Sequence, residues 1–123
     1  MPVPILRQGD ILIASIQSAL TDGDLVQLRD ELSDRVGRFR ALGVVIDLTS
    51  LDVLDSFASR TLRGIAITTR LRGAEMMVVG IQPDVAFAMV QLGLTLDGVA
   101  TALDLEEAVD LLRHLAAGGR RAG

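Results

Sequence analysis

Val44-Val45-Ile46-Asp47-Leu48-Thr49-Ser50-Leu51-Asp52-Val53-Leu54-Asp55-Ser56-Phe57 is the stretch that decides how the rest of the chain reads. Val44 to Ile46 are β-branched with no polar alternation, the pattern of a strand buried on both faces. The run then turns acidic, with Asp47, Asp52 and Asp55 spread around a predicted loop. Ser56 stands where a helical pattern begins. Open α/β sheets place their working groups beyond the carboxyl ends of such strands, which makes Ser56 the candidate centre of the site.

Working outward, Val3 to Leu6 and Ile11 to Ile16 read as two strands, with Gly9-Asp10 as a tight turn between them. Thr21-Asp22-Gly23-Asp24 starts a helix. Leu25, Leu28, Leu32, Val36 and Phe39 recur at helical spacing, with Arg29, Asp30, Glu31, Asp34, Arg35 and Arg38 on the solvated face. A strand, helix, strand order ending in Val44–Leu48 demands a crossover, normally right-handed and parallel. Beyond Ser56, the residues Ala58, Leu62, Ile65, Ala66 and Thr69 mark the inner stripe of a second helix that Gly73 ends. Arg60, Arg63, Arg70 and Arg72 lie mainly outside that stripe.

Glu75–Val79 is the next strand, and Pro83 opens a short helix, Asp84 to Leu92, that is apolar nearly all round. Such a helix is expected to be core, buried on more than one side, or else to carry a partner-facing patch. Gly93-Leu94 breaks it, and Val99 to Leu103 reads as a short last strand. Asp104 and Glu107 have the form of a capping box. The final helix carries Leu105, Ala108, Val109, Leu112 and Leu115, with His114 in its last turn. The order ββαβαβα(β)α predicts an α/β fold with a mixed sheet and flanking helices. One domain is expected over residues 1–117, followed by a frayed tail over 118–123.

The composition excludes several kinds of chemistry. A chain of 123 residues suits one domain. Half of it is hydrophobic and 23% is charged, which rules out a disordered chain. The absence of Cys removes thiol nucleophiles and Cys-ligated metals. His114 is the single His. All 12 basic residues are Arg, so a P-loop and a Schiff-base enzyme both lack their Lys. A net charge of −4 opposes binding to nucleic-acid phosphates. No apolar run reaches membrane-spanning length. Met1-Pro2-Val3-Pro4 has no signal-peptide character. A cytoplasmic protein with no membrane or nucleic-acid partner, no cofactor and no metal is expected.

Asp47, Asp52 and Asp55 could gather Mg²⁺ through oxygen ligands, but receiver-type phosphoryl chemistry also needs the missing Lys. A serine hydrolase needs a base, and Ser56 lacks the G-x-S-x-G setting. Two readings of Ser56 stay open and are compatible. A serine or aspartate before an apolar-periodic run is an ordinary helix N-cap. A serine at a helix start is equally an acceptor that a kinase can reach, since the kinase supplies base, metal and ATP. Ser50 in the loop and Ser59 one turn into the helix are competing hydroxyls.

The same stretch resembles the signature of STAS domains, the fold of anti-sigma factor antagonists. Ile46-Asp47-Leu48-Thr49-Ser50, Asp55-Ser56-Phe57, Gly80-Ile81-Gln82-Pro83 and Ala102-Leu103-Asp104-Leu105-Glu106 together resemble the RsbS-type scaffold branch of the stressosome. The resemblance implies a four- to five-stranded mixed sheet and no catalysis. It implies phosphorylation of Ser56 by an RsbT-like serine kinase of the GHKL type, which is held by the unmodified protein and released afterwards. An RsbX-like serine phosphatase would reset the serine. It also implies homo-oligomers and a large assembly with RsbR-like paralogues, whose N-terminal sensor domains this sequence is expected to lack. Phe57-Ala58 stands where generic antagonists carry a small residue or Gly, which favours the stressosome branch. Asp47, Asp52, Asp55, Ser56, Phe57, Ser59 and Arg60 are the expected partner-binding residues. A rival with the same fold is a STAS docking subunit of an ABC-type lipid transporter.

Overall fold

Val44, Val45 and Ile46 are completely buried, because the strand that carries them is paired on both edges and covered on both faces. The computed structural model describes residues 3–93, 96 and 98–122, with 116–122 as backbone alone. The elements in chain order are β1 (Ile5–Gln8), β2 (Ile11–Ser15), α1 (Asp22–Phe39), β3 (Gly43–Asp47), α2 (Ser56–Leu71), β4 (Glu75–Val79), α3 (Pro83–Gln91), β5 (Ala100–Ala102) and α4 (Leu105–Ala122). Among the described residues the strands form one five-stranded sheet in the order β1-β2-β3-β4-β5. β1 runs antiparallel to β2, and the remaining neighbours are parallel. This is the mixed α/β sheet that the element order predicts.

Strand alternation divides the core in two. Leu12, Ala14, Val44, Ile46, Met76 and Val78 face the layer of α1, α2 and α3. Ile11, Ile13, Val45, Met77 and Val79 face α4, which meets them with Ala108, Val109 and Leu112. Gly43 lets α4 settle on the sheet, since a Cβ there would lie 2.8 Å from a methyl of Leu112.

α1 begins with a reciprocal capping box. The Asp24 N–H donates to the Thr21 hydroxyl at 3.1 Å, and the Thr21 N–H donates to the Asp24 carboxylate at 3.2 Å. The bond from the Thr21 backbone holds the Asp24 pKa below its ordinary value. On the outer face, Arg35 pairs with Glu31 and Arg38 with Asp34, both at i,i+4 spacing.

Several boundaries differ from the sequence reading. β1 lies two residues later than expected, because the hairpin pairs Gln8 with Ile11 across Gly9-Asp10. α3 is not buried on several sides. Its Val85 and Met89, four apart, reach the core, while Phe87 is 66% and Val90 78% exposed. A helix of nine residues resting on one side can bury only one such stripe. α4 continues to Ala122, so His114 lies inside the helix. Leu94 and Gly123 lie outside the described residues.

The turn after β4 is held by Gly80, whose φ is +73°. A Cβ at this position would sit 2.1 Å from the Thr49 hydroxyl and 3.1 Å from the Thr49 backbone nitrogen. Only glycine satisfies both conditions. Gly80→Ala is expected to cost about 1–3 kcal/mol, read from the urea midpoint at unchanged slope. Leu62, 0% exposed on the inner face of α2, gives the reference for a plain core loss. Leu62→Ala should cost about 2–5 kcal/mol in the same assay.

Candidate functional site

The loop from Leu48 to Asp55 is tied down along its length. The Leu48 N–H donates to the Val79 carbonyl at 2.9 Å, carrying the β3–β4 ladder one step past the strand. One carboxylate oxygen of Asp47 then accepts from both the Thr49 N–H at 2.9 Å and the Thr49 hydroxyl at 2.6 Å. The Gln82 side-chain amide donates to the Thr49 carbonyl at 2.8 Å. The β4–α3 turn thus buttresses the β3–α2 loop, with Gly80 leaving room for Thr49.

Leu51 and Leu54 dip into the core. Their burial forces Asp52 and Val53 outward between them. Beside the loop lies a small apolar recess of about 50 Å³, lined by Leu20, Leu25, Leu51, Val53, Leu54 and Ala58 among others.

Asp55 is the N-cap of α2, with extended backbone at φ −88° and ψ 179°. Its carboxylate accepts from the Ala58 N–H at 2.8 Å, and its carbonyl accepts from the Ser59 N–H at 3.0 Å. Ser56 is therefore the first helical residue. It is exposed, and its hydroxyl makes no hydrogen bond among the described residues. Between the two adjoining candidates for the cap, the aspartate takes the task and the serine is left free.

The remaining expected residues separate. Phe57 is half-buried, Asp52 and Ser50 are exposed, and Arg60 is exposed on the turn after Ser56. Ser59 is only 2% exposed, which corrects its expected place on a partner-facing surface. It falls on the same helical face as Leu62 and Ala66, and its buried hydroxyl has no partner. Asp47 contributes chiefly as the anchor of Thr49.

No group of three His, Cys, Asp or Glu that could hold a metal occurs among the described residues. His114 belongs to α4, on the far side of the sheet from Ser56, so no imidazole stands beside the serine. The sequence reading missed how Thr49, Gly80 and Gln82 cooperate. The signal was present in Gly80-Ile81-Gln82-Pro83, which leaves the carboxyl end of the strand next to β3.

Residues 3–108 match the family model described as the STAS domain. The chain is similar to a serine-to-glutamate variant of RsbS from Moorella thermoacetica, at 36% identity and a TM-score of 0.79, covering 94% of this chain and 97% of that one. It is also similar, at 36% identity and a TM-score of 0.75, to a chain from the molecular architecture of the stressosome, described as a signal integration and transduction hub. That match covers 92% of this chain and 98% of the other. The RsbT co-antagonist protein RsbRA of Bacillus subtilis (strain 168) is 29% identical over 83 residues, which is 68% of this chain. The matched segment spans only 30% of RsbRA's length. Among the described residues no helix is long and apolar enough to cross a membrane. On the match over residues 3–108 and the shared architecture, the chain belongs to the STAS-domain family, with RsbS among its relatives.

Proposed function

We propose that this chain is a non-catalytic stressosome scaffold in the cytoplasm, which holds an RsbT-like serine kinase and releases it when Ser56 is phosphorylated. The observation that carries this reading is the Ser56 hydroxyl, exposed at the first position of α2 and left without a hydrogen bond because Asp55 caps the helix. An acceptor needs reach and a docking surface, and no base or metal of its own. The kinase's base takes the Oγ proton, Oγ bonds to the γ-phosphorus of ATP, and the bond to the ADP oxygen breaks. An RsbX-like phosphatase hydrolyses the ester and restores the serine.

The phosphate adds about −1.5 to −2 charges, close to the exposed carboxylates of Asp52 and Asp55. First-turn N–H groups of a helix tolerate an anion well, so the fold accepts the change. A kinase surface fitted to a neutral hydroxyl, to exposed Val53 and to the neighbouring apolar recess would meet a dianion instead. Desolvating that charge without a partner opposes binding. The similarity to RsbS, to a stressosome chain and to part of RsbRA supports a large mixed assembly with RsbR-like paralogues, alongside self-association.

Stability and binding should separate at neighbouring positions. Asp55→Ala loses the cap and should cost about 1 kcal/mol in urea unfolding. Ser56→Ala should stay within about 0.5 kcal/mol of the parent. With the kinase and ATP, mass spectrometry should place phosphate on Ser56 and leave Ser50 and Ser59 unmodified. Calorimetry should show Ser56→Ala binding the kinase like the parent and Ser56→Asp binding it at least tenfold more weakly. Equal affinity for Ser56→Asp would remove the switch.

A further inference from the structure

α2 carries three arginines and no acidic residue over its whole length. The arginines of α1 at 35 and 38 each have a carboxylate one turn earlier, and Arg70 has Glu75 and the Gly98 carbonyl. Arg60 and Arg63 have neither an ion pair nor a hydrogen bond among the described residues. Arg60 stands at i+4 from Ser56, on the same helical face. Long side chains on a helix lean toward its N-terminus and cover the preceding turn. An Arg60 side chain therefore lies naturally over the Ser56 position.

We propose that Arg60 is the internal clamp of the modified state: its guanidinium binds the Ser56 phosphate in two-point fashion along the face of α2. Resting on the phosphorylation reading above, this gives Arg60 two successive roles. In the unmodified protein it is a free cation at the edge of the docking surface, suited to an acidic patch on the kinase. After phosphorylation it turns back on its own chain, because a planar fork pairs with phosphate oxygens better than with a solvated surface carboxylate. The modification would then act twice, adding charge at Ser56 and withdrawing a cation that the partner had used. Arg63, at i+7, lies two turns away and feels the phosphate only as a distant charge.

The test uses the full chain with phosphoserine incorporated at position 56 during translation, which makes it independent of any kinase. Phosphorus NMR reads the second ionisation of the phosphate. Asp52, Asp55 and the α2 N-terminus act on it equally in every variant compared, so the difference between variants isolates the arginines. In Arg60→Gln that ionisation should rise by about half a pH unit over the parent, and Arg63→Gln should move it clearly less. Arg60→Lys should restore part of the difference. Identical titration in the parent and Arg60→Gln, or equal shifts for the two arginine variants, would overturn the clamp. A normal titration difference in a protein whose kinase ignores Ser56 would count against the switch and leave the clamp standing.

Discussion

One short bond sets the site: the Asp55 carboxylate on the Ala58 N–H. Moving the cap one residue onward would make Ser56 the cap, and its hydroxyl would turn inward to satisfy the first-turn donors. The rotation of the helix is set separately, by Leu62, Ile65, Ala66 and Thr69 on its buried face. With the cap at Asp55, the apolar stripe of α2 meets the core, the serine hydroxyl is spare, and Arg60 follows it on the outer face. The buried stripe fixes which face of α2 meets the core, and the cap at Asp55 decides that the Ser56 oxygen is available.

The loop before that cap is built as a continuation of the core. Leu51 and Leu54 anchor it from below, Asp47 folds Thr49 back on the strand end, and Gln82 closes it from the next turn. Each tie removes freedom that a partner would otherwise have to freeze on binding, at roughly 0.5–1.5 kcal/mol per ordered side chain. Asp52, Val53 and Ser56 therefore stand on a prepared surface. The turn at Gly80 and the packing at Leu54 belong to the same unit.

Much of this was legible before any coordinates. The β-branched run from Val44 marked the central strand, and the spacing of Leu62, Ile65 and Ala66 marked the buried face of α2. Periodicity failed where tertiary placement decides. An apolar sequence over Val85–Val90 does not reveal whether a neighbour covers its second side, and in this fold nothing among the described residues does so for Phe87 and Val90. Ser59 was expected among the partner-binding residues, but its spacing to Leu62 puts it on the buried face. The bond between Gln82 and Thr49 spans 33 residues, and no local pattern reports a contact that the parallel pairing of β3 and β4 creates.

A reversible switch needs a fold indifferent to the change that its partner detects. A domain stable by only about 5–15 kcal/mol has little to spare, and a dianion placed beside a buried strand would consume a large part of it. At the first position of a helix the sign is opposite. Free N–H groups and the dipole favour an anion there by roughly 0.3–1 kcal/mol, which offsets the repulsion from Asp52 and Asp55. The same dianion facing a second protein loses its water and gains no such compensation. In the proposed switch, folding and association would respond to one charge with different signs, and the difference would arise from where α2 begins.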